Sequence, residues 1–137
     1  MKTFVKLAAA ALLASLLSQP ADASTVRRVV SANKSTSVGF FHVMTNMGAG
    51  CQQPARPTML IERAPLHGAV AFRWTHHAGN QIRNACKGVP VGGWDVVYTP
   101  ARGYHGPDAF RIGAQYEQYL VGGGASYSSD GFVLLVK

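Results

Sequence analysis

Carboxylates are scarce in this chain. Six Asp and Glu stand against thirteen Lys and Arg in 137 residues, a formal net charge of +7 with neutral histidines. Glu62, Asp95, Asp108, Glu117 and Asp130 are widely scattered, whereas a calcium site gathers six to eight hard oxygens. There are two cysteines, Cys51 and Cys86, and no Cys-x-x-Cys or His-x-His sets two metal ligands side by side. Catalytic signatures are missing as well. Gly124-Ala125-Ser126-Tyr127-Ser128 lacks the final glycine of the G-x-S-x-G elbow, and no sequence pattern places two of Glu62, Asp95 and Glu117 at the separation that sugar cleavage requires. After residue 23 no apolar run reaches the roughly 18 residues that span a bilayer. Nor does any stretch there carry an i, i+3, i+4, i+7 stripe free of Gly and Pro for three turns. These absences speak against an enzyme, a calcium module, a transmembrane anchor and a helical fold, and no cofactor is expected.

The first segment that is present reads as an address. Met1-Lys2-Thr3-Phe4-Val5-Lys6 carries two positive charges, an uncharged and mostly apolar run follows from Leu7 to Leu17, and the small-residue triplet Ala21-Asp22-Ala23 closes it. That order is the n-region, h-region and A-x-A site of a secretory signal peptide. It predicts a signal peptide over 1–23 and one exported domain over 24–137, periplasmic or secreted, with no cysteine at the cleavage point to take a lipid. Cleavage removes Lys2, Lys6 and Asp22 and leaves eleven basic and five acidic residues. In an oxidising compartment Cys51 and Cys86 are expected to form one disulfide, which would stabilise the domain by about 3.5–4 kcal/mol through loop closure.

The rest reads as strands. Val70, Phe72 and Trp74 alternate with Arg73 and Thr75 between Ala69 and His76; Trp94, Val96 and Tyr98 alternate with Asp95, Val97 and Thr99; Phe110, Ile112, Ala114 and Tyr116 alternate with Arg111, Gly113 and Gln115. Period two marks half-buried strands, and Phe132–Val136 adds a short aliphatic run suited to a terminal strand. Weaker strand patterns cover Thr25–Ser31, Ser37–Thr45 and Thr58–Arg63. The expected fold is all-β, an immunoglobulin-like sandwich of about seven strands, with Phe72, Trp74, Trp94, Tyr98, Phe110 and Ile112 in its core. Asn46–Pro57, His77–Gly93 and Gly122–Gly131 are expected as long loops, the last rich in the Tyr, Ser and Gly of adaptable recognition surfaces.

The most specific string runs Tyr98-Thr99-Pro100-Ala101-Arg102-Gly103-Tyr104-His105-Gly106-Pro107-Asp108-Ala109-Phe110. Pro100 ends a strand, Gly103 and Gly106 permit positive φ, and Asp108 can accept from turn amides before Phe110 enters the core. The pattern resembles the closing strands of bacterial immunoglobulin-like and cadherin-like repeat domains of exported proteins. Pro65-Leu66-His67-Gly68-Ala69-Val70 is similar to the Pro-x-His-Gly-x-Val turn of the same families. The resemblance covers about residues 64–137, and small single-domain versions carry a similar cysteine pair. It implies the fold, with adhesion or envelope interaction as a functional tendency.

The expected function is therefore a non-catalytic binding module of the bacterial envelope, its partner an anionic envelope polymer or another envelope protein. Arg73, Arg83, Lys87 and Arg111 are the candidate anion contacts if the fold gathers them. Nucleic acid is not expected, because the basic residues are dispersed and lack interleaved aromatics. An alternative expectation is a periplasmic copper or zinc protein, since His42, Met44, His76, His77 and His105 are soft ligands; His42 and Met44, two apart on a strand, share a face.

Overall fold

The computed structural model describes residues 24–46, 51–77, 90–117 and 124–137. Among them there is no helix, and none therefore long and apolar enough to cross a membrane. The strands are β1 (Ser24–Val30), β2 (Thr36–Phe41), β3 (Thr45–Asn46), β4 (Cys51–Gln52), β5 (Thr58–Arg63), β6 (Gly68–His77), β7 (Val91–Pro100), β8 (Gly106–Glu117) and β9 (Ala125–Val136). Seven of them form two sheets, ordered β1-β9-β8-β5 and β2-β7-β6, while β3 and β4 pair in a small ribbon. All pairings are antiparallel except β1 with β9, which run parallel.

Alternation puts one side chain in two toward the space between the sheets. Val38, Val96 and Tyr98 from the three-stranded sheet meet Val30, Phe110, Ile112, Phe132, Leu134 and Val136 in one buried cluster. Its axis is a stack of near-parallel rings: Tyr98 lies 6.1 Å from Phe110, and Phe110 lies 4.6 Å from Phe132, separations suited to offset stacking. Tyr98, Phe110 and Ile112 thus occupy the core as the period-two pattern predicts. Phe72 is half-buried and packs against the edge of this cluster, whereas Trp74 and Trp94, also half-buried, lie outside it. Phe72 and Trp74 stand on β6, an edge strand with a neighbour on one side only. The indole Nε1–H of Trp94 donates to the carbonyl of Pro57 at 2.8 Å.

Three boundaries also differ from the sequence reading. β2 stops at Phe41, the segment Asn46–Pro57 contains the β3–β4 ribbon, and most of the expected loop Gly122–Gly131 is strand, because β9 starts at Ala125 and stays in register with β8 as far as Glu117. The first half of β9, Ala125-Ser126-Tyr127-Ser128-Ser129, is polar, so no apolar run announces it.

Candidate functional site

The sequence's most specific string builds one end of the sandwich. Asp108 is buried, and its carboxylate accepts from the amides of Leu66 and His67, each at 3.0 Å, and from the Tyr98 hydroxyl at 2.7 Å. Burial and the adjacent carboxylate push the Tyr98 hydroxyl far above its ordinary pKa, so it stays a donor. His67 stacks on Tyr104 at 4.1 Å, and Tyr104 donates to the Pro107 carbonyl. Gly68 is required by close approach: a Cβ there would lie 2.6 Å from the Tyr98 ring. Gly103 and Gly106 both hold positive φ, and Pro100 is buried opposite Gly68. Pro65, His67, Gly68, Tyr98, Pro100, Gly103, Tyr104, Gly106, Asp108 and Phe110 thus shape a turn. One consequence reaches the surface, because the turn carries Leu66 outward with 87% of its surface in water.

Beside that turn lies the outer face of the four-stranded sheet. Inward-facing Phe110 and Ile112 set Arg111 outward, and inward-facing Val26 and Val30 do the same for Arg27 and Val29. A register shift between Ile61 and Arg63 leaves Glu62 unpaired in the ladder. Such a bulge re-aims side chains, and here Glu62 and Arg63 both reach the outer face. Arg63 then stands directly across from Arg111. The next cross-strand row is Ala109, Val133 and Arg27, and the one beyond is Pro107, Leu135 and Val29. Shallow depressions between them are lined by Arg63, Leu66, Pro107, Ala109 and Val133 on one side and by Arg27, Arg28, Val29 and Leu135 on the other.

Apolar side chains stand bare on this face, Val29 at 62% exposure and Leu135 at 40%. Of the carboxylates, Glu62 is on this face but engaged, tied to Tyr127 and, at 2.7 Å, to the Ser129 hydroxyl on the side away from the turn, and Glu117 is at the far end of β8. Gly113 makes the first contact possible, since any Cβ there would collide with the Tyr127 hydroxyl. Hydrogen bonds from Ser129 and Tyr127, with Arg111 nearby, hold the Glu62 carboxyl below its usual range, and the Tyr127 hydroxyl is raised in return.

The opposite outer face, on the three-stranded sheet, is internally matched. Asp95 is buried there, reached by Arg73 Nη2 at 3.2 Å, His77 Nε2 at 3.3 Å and the Ser37 hydroxyl at 3.2 Å. The Phe40 ring lies over Gly93, where a Cβ would sit 2.4 Å from it, and is flanked by His77 at 4.2 Å and His42 at 5.4 Å. Burial holds the His42 pKa below its ordinary value.

Sequence-picked residues are therefore dispersed. Arg73 and Arg111 occupy opposite outer faces and do not form one basic surface, because their strands belong to different sheets; Arg83 and Lys87 lie outside the described residues. Arg27 and Arg63, whose placement depends on β1 joining β9 and on the β5 bulge, were not singled out by the sequence. Of the soft-ligand set, His42 and His77 share the Phe40 ring, His76 meets the edge of Trp74 at 6.3 Å, and His105 belongs to the Asp108 turn at the other end of the sandwich. Met44 lies beyond β2. No group of three His, Cys, Asp or Glu that could hold a metal occurs among the described residues. Asp95 and Glu62 lie on different sheets and do not form a carboxylate pair. Cys51 pairs through its backbone with Asn46, and Cys86 lies outside the described residues.

The remaining strand ends gather aromatics. Phe41 lies 5.7 Å from Tyr116, Trp74 meets Trp94 edge-on at 5.2 Å, and the Arg56 guanidinium sits 4.4 Å above Trp74. Phe41 and Tyr116 join the two sheets here, while the Trp74–Trp94 pair lies within the three-stranded sheet. Comparison with protein-family models, with curated proteins and with solved structures finds no match for this chain.

Proposed function

We propose that the chain is an exported immunoglobulin-like binding module that holds an anionic partner of the bacterial envelope, without chemistry, on the outer face of its four-stranded sheet. The carrying observation is the Arg63–Arg111 pair. Like charges directly opposite on a sheet are destabilising, yet these two stand together on a face whose carboxylates are engaged or distant, with Arg27 across the same face. An anionic ligand removes that repulsion on binding, and bidentate guanidinium contacts supply its geometry.

Strand order supports the immunoglobulin-like part. β2, β7 and β6 stand as strands B, E and D do in that fold, and β5, β8 and β9 as C, F and G, with the first strand beside the last. Export rests on residues 1–23, after which both sheets are built, and the Cys51–Cys86 disulfide follows from export. Intact mass of the exported product, before and after alkylation, checks both: cleavage after Ala23 and blocked thiols support them, whereas a retained leader or two free thiols overturn them.

Retention on an anionic matrix tests the binding face. Arg63→Gln with Arg111→Gln should elute at distinctly lower salt than Lys34→Gln with Arg102→Gln, a pair of equal charge at the turn end. Equal shifts would reduce the effect to net charge and overturn the assignment.

A further inference from the structure

Resting on that reading, we infer that the anionic partner is a lipid surface, and that the outer face of the four-stranded sheet lies flat on it. Two features of the face favour this over a soluble polyanion. First, the cations are spread rather than grooved. Arg27 is on one edge strand and Arg63 on the other, three strand spacings or about 14 Å apart, with Arg111 between. A linear polyanion is better held by a line or cleft of charge, whereas dispersed guanidiniums on a sheet match headgroups that diffuse beneath them. Second, on the turn side of the Arg63–Arg111 pair the outward side chains are apolar, while Glu62 on the other side is engaged by Tyr127 and Ser129. Leu66 is 87% exposed at the rim and Val29 is 62% exposed on the edge strand, with Val133 and Leu135 between. A soluble polyanion would engage the arginines and leave these four in water. A bilayer takes both: guanidiniums stay at the phosphate level while Leu66 and Val29 enter between headgroups.

The opposite face offers no such pairing, because its one acid, Asp95, already engages Arg73. Binding is therefore one-sided, reversible and dependent on salt, as expected of a few cations acting across a Debye length of about 8 Å at physiological ionic strength.

Vesicle co-sedimentation tests the inference, with the protein purified from an exporting host and every variant sharing the same N-terminus, so that differences read the face alone. The probes are vesicles of phosphatidylglycerol mixed with phosphatidylcholine, vesicles of phosphatidylcholine alone, and a soluble polyphosphate. Expected is binding to the anionic vesicles, weakened about fivefold for each arginine removed in Arg63→Gln and Arg111→Gln. Leu66→Ser with Val29→Ser should weaken it about tenfold, while Lys34→Gln with Arg102→Gln changes it little. Both apolar positions are exposed, so these variants should keep the wild-type circular dichroism and melting. If the arginine variants lose polyphosphate and vesicles alike while Leu66→Ser with Val29→Ser binds vesicles normally, the lipid assignment falls and the anion-binding face stands. If the control pair loses as much as the arginine pair, both fall.

Discussion

The two outer faces of this sandwich solve the same problem in opposite ways. On the three-stranded sheet a buried Asp95 draws in Arg73, His77 and Ser37, and Phe40 covers Gly93, so charge and apolar surface are both matched within the chain. On the four-stranded sheet two arginines oppose each other and valine and leucine side chains stand in water. Neither packing nor solubility explains the second arrangement, since exchanging Arg63 for an acid would ease the repulsion and make a cross-strand ion pair. A face left unmatched in a protein that matches its other face points to something outside the chain as the missing half.

The contrast is breakable at defined residues. The largest effect is expected at Asp108, which fixes the turn carrying Leu66 to the rim of the unmatched face. Asp108→Ala orphans the amides of Leu66 and His67 and leaves the Tyr98 hydroxyl only its longer bond to the His67 carbonyl at 3.3 Å, and should cost about 3–4 kcal/mol in urea unfolding, chiefly from the two amides left without partners. A loss below about 1 kcal/mol would mean water replaces the carboxylate. Asp95→Ala, on the matched face, should cost less, about 1–2 kcal/mol, because Arg73 is largely exposed and recovers its solvation. Arg111→Gln, on the unmatched face, should leave stability unchanged or raise it by about 0.2–0.5 kcal/mol as repulsion is relieved; a clear loss would show that the arginine is part of the structure rather than presented by it.

Smaller still are the pH effects. His42 has its pKa lowered in the folded protein, so the unfolded chain binds the proton first as pH falls. The stability due to its neutral form is complete above the ordinary value of 6.5 and is lost as pH drops from there toward the folded pKa. His42→Phe should flatten that part of the stability profile. Glu62, also lowered, contributes above its ordinary 4.5 and loses the contribution as pH falls through its folded pKa. Tyr127→Phe should therefore shift the Glu62 titration upward, toward its ordinary range, measurable by carboxyl NMR.

What could be read in the sequence was whatever depends on period two and on turn chemistry. The alternations around Tyr98 and Phe110 placed the core strands, and the glycines with Asp108 marked the turn as structural. The register of β5 was not legible, because a bulge at Glu62 has no signature in Thr58–Arg63, yet it decides which face receives Arg63. Nor was the parallel seat of β1 beside β9, which brings Arg27 to the same face as Arg111. Arg73 and Arg111 look alike as charged positions next to core aromatics; which sheet each strand joins separates them. Trp74 and Trp94 misled for a related reason: alternation reports the side a ring faces and not whether the strand lies at an edge.

Arginine-selective labelling with phenylglyoxal, read residue by residue by mass spectrometry with and without phosphatidylglycerol vesicles, tests the central claim most directly. The expected footprint is protection of Arg27, Arg63 and Arg111 with Arg73 and Arg102 labelling at unchanged rates. Protection spread evenly over all five, or centred on Arg73, would contradict it.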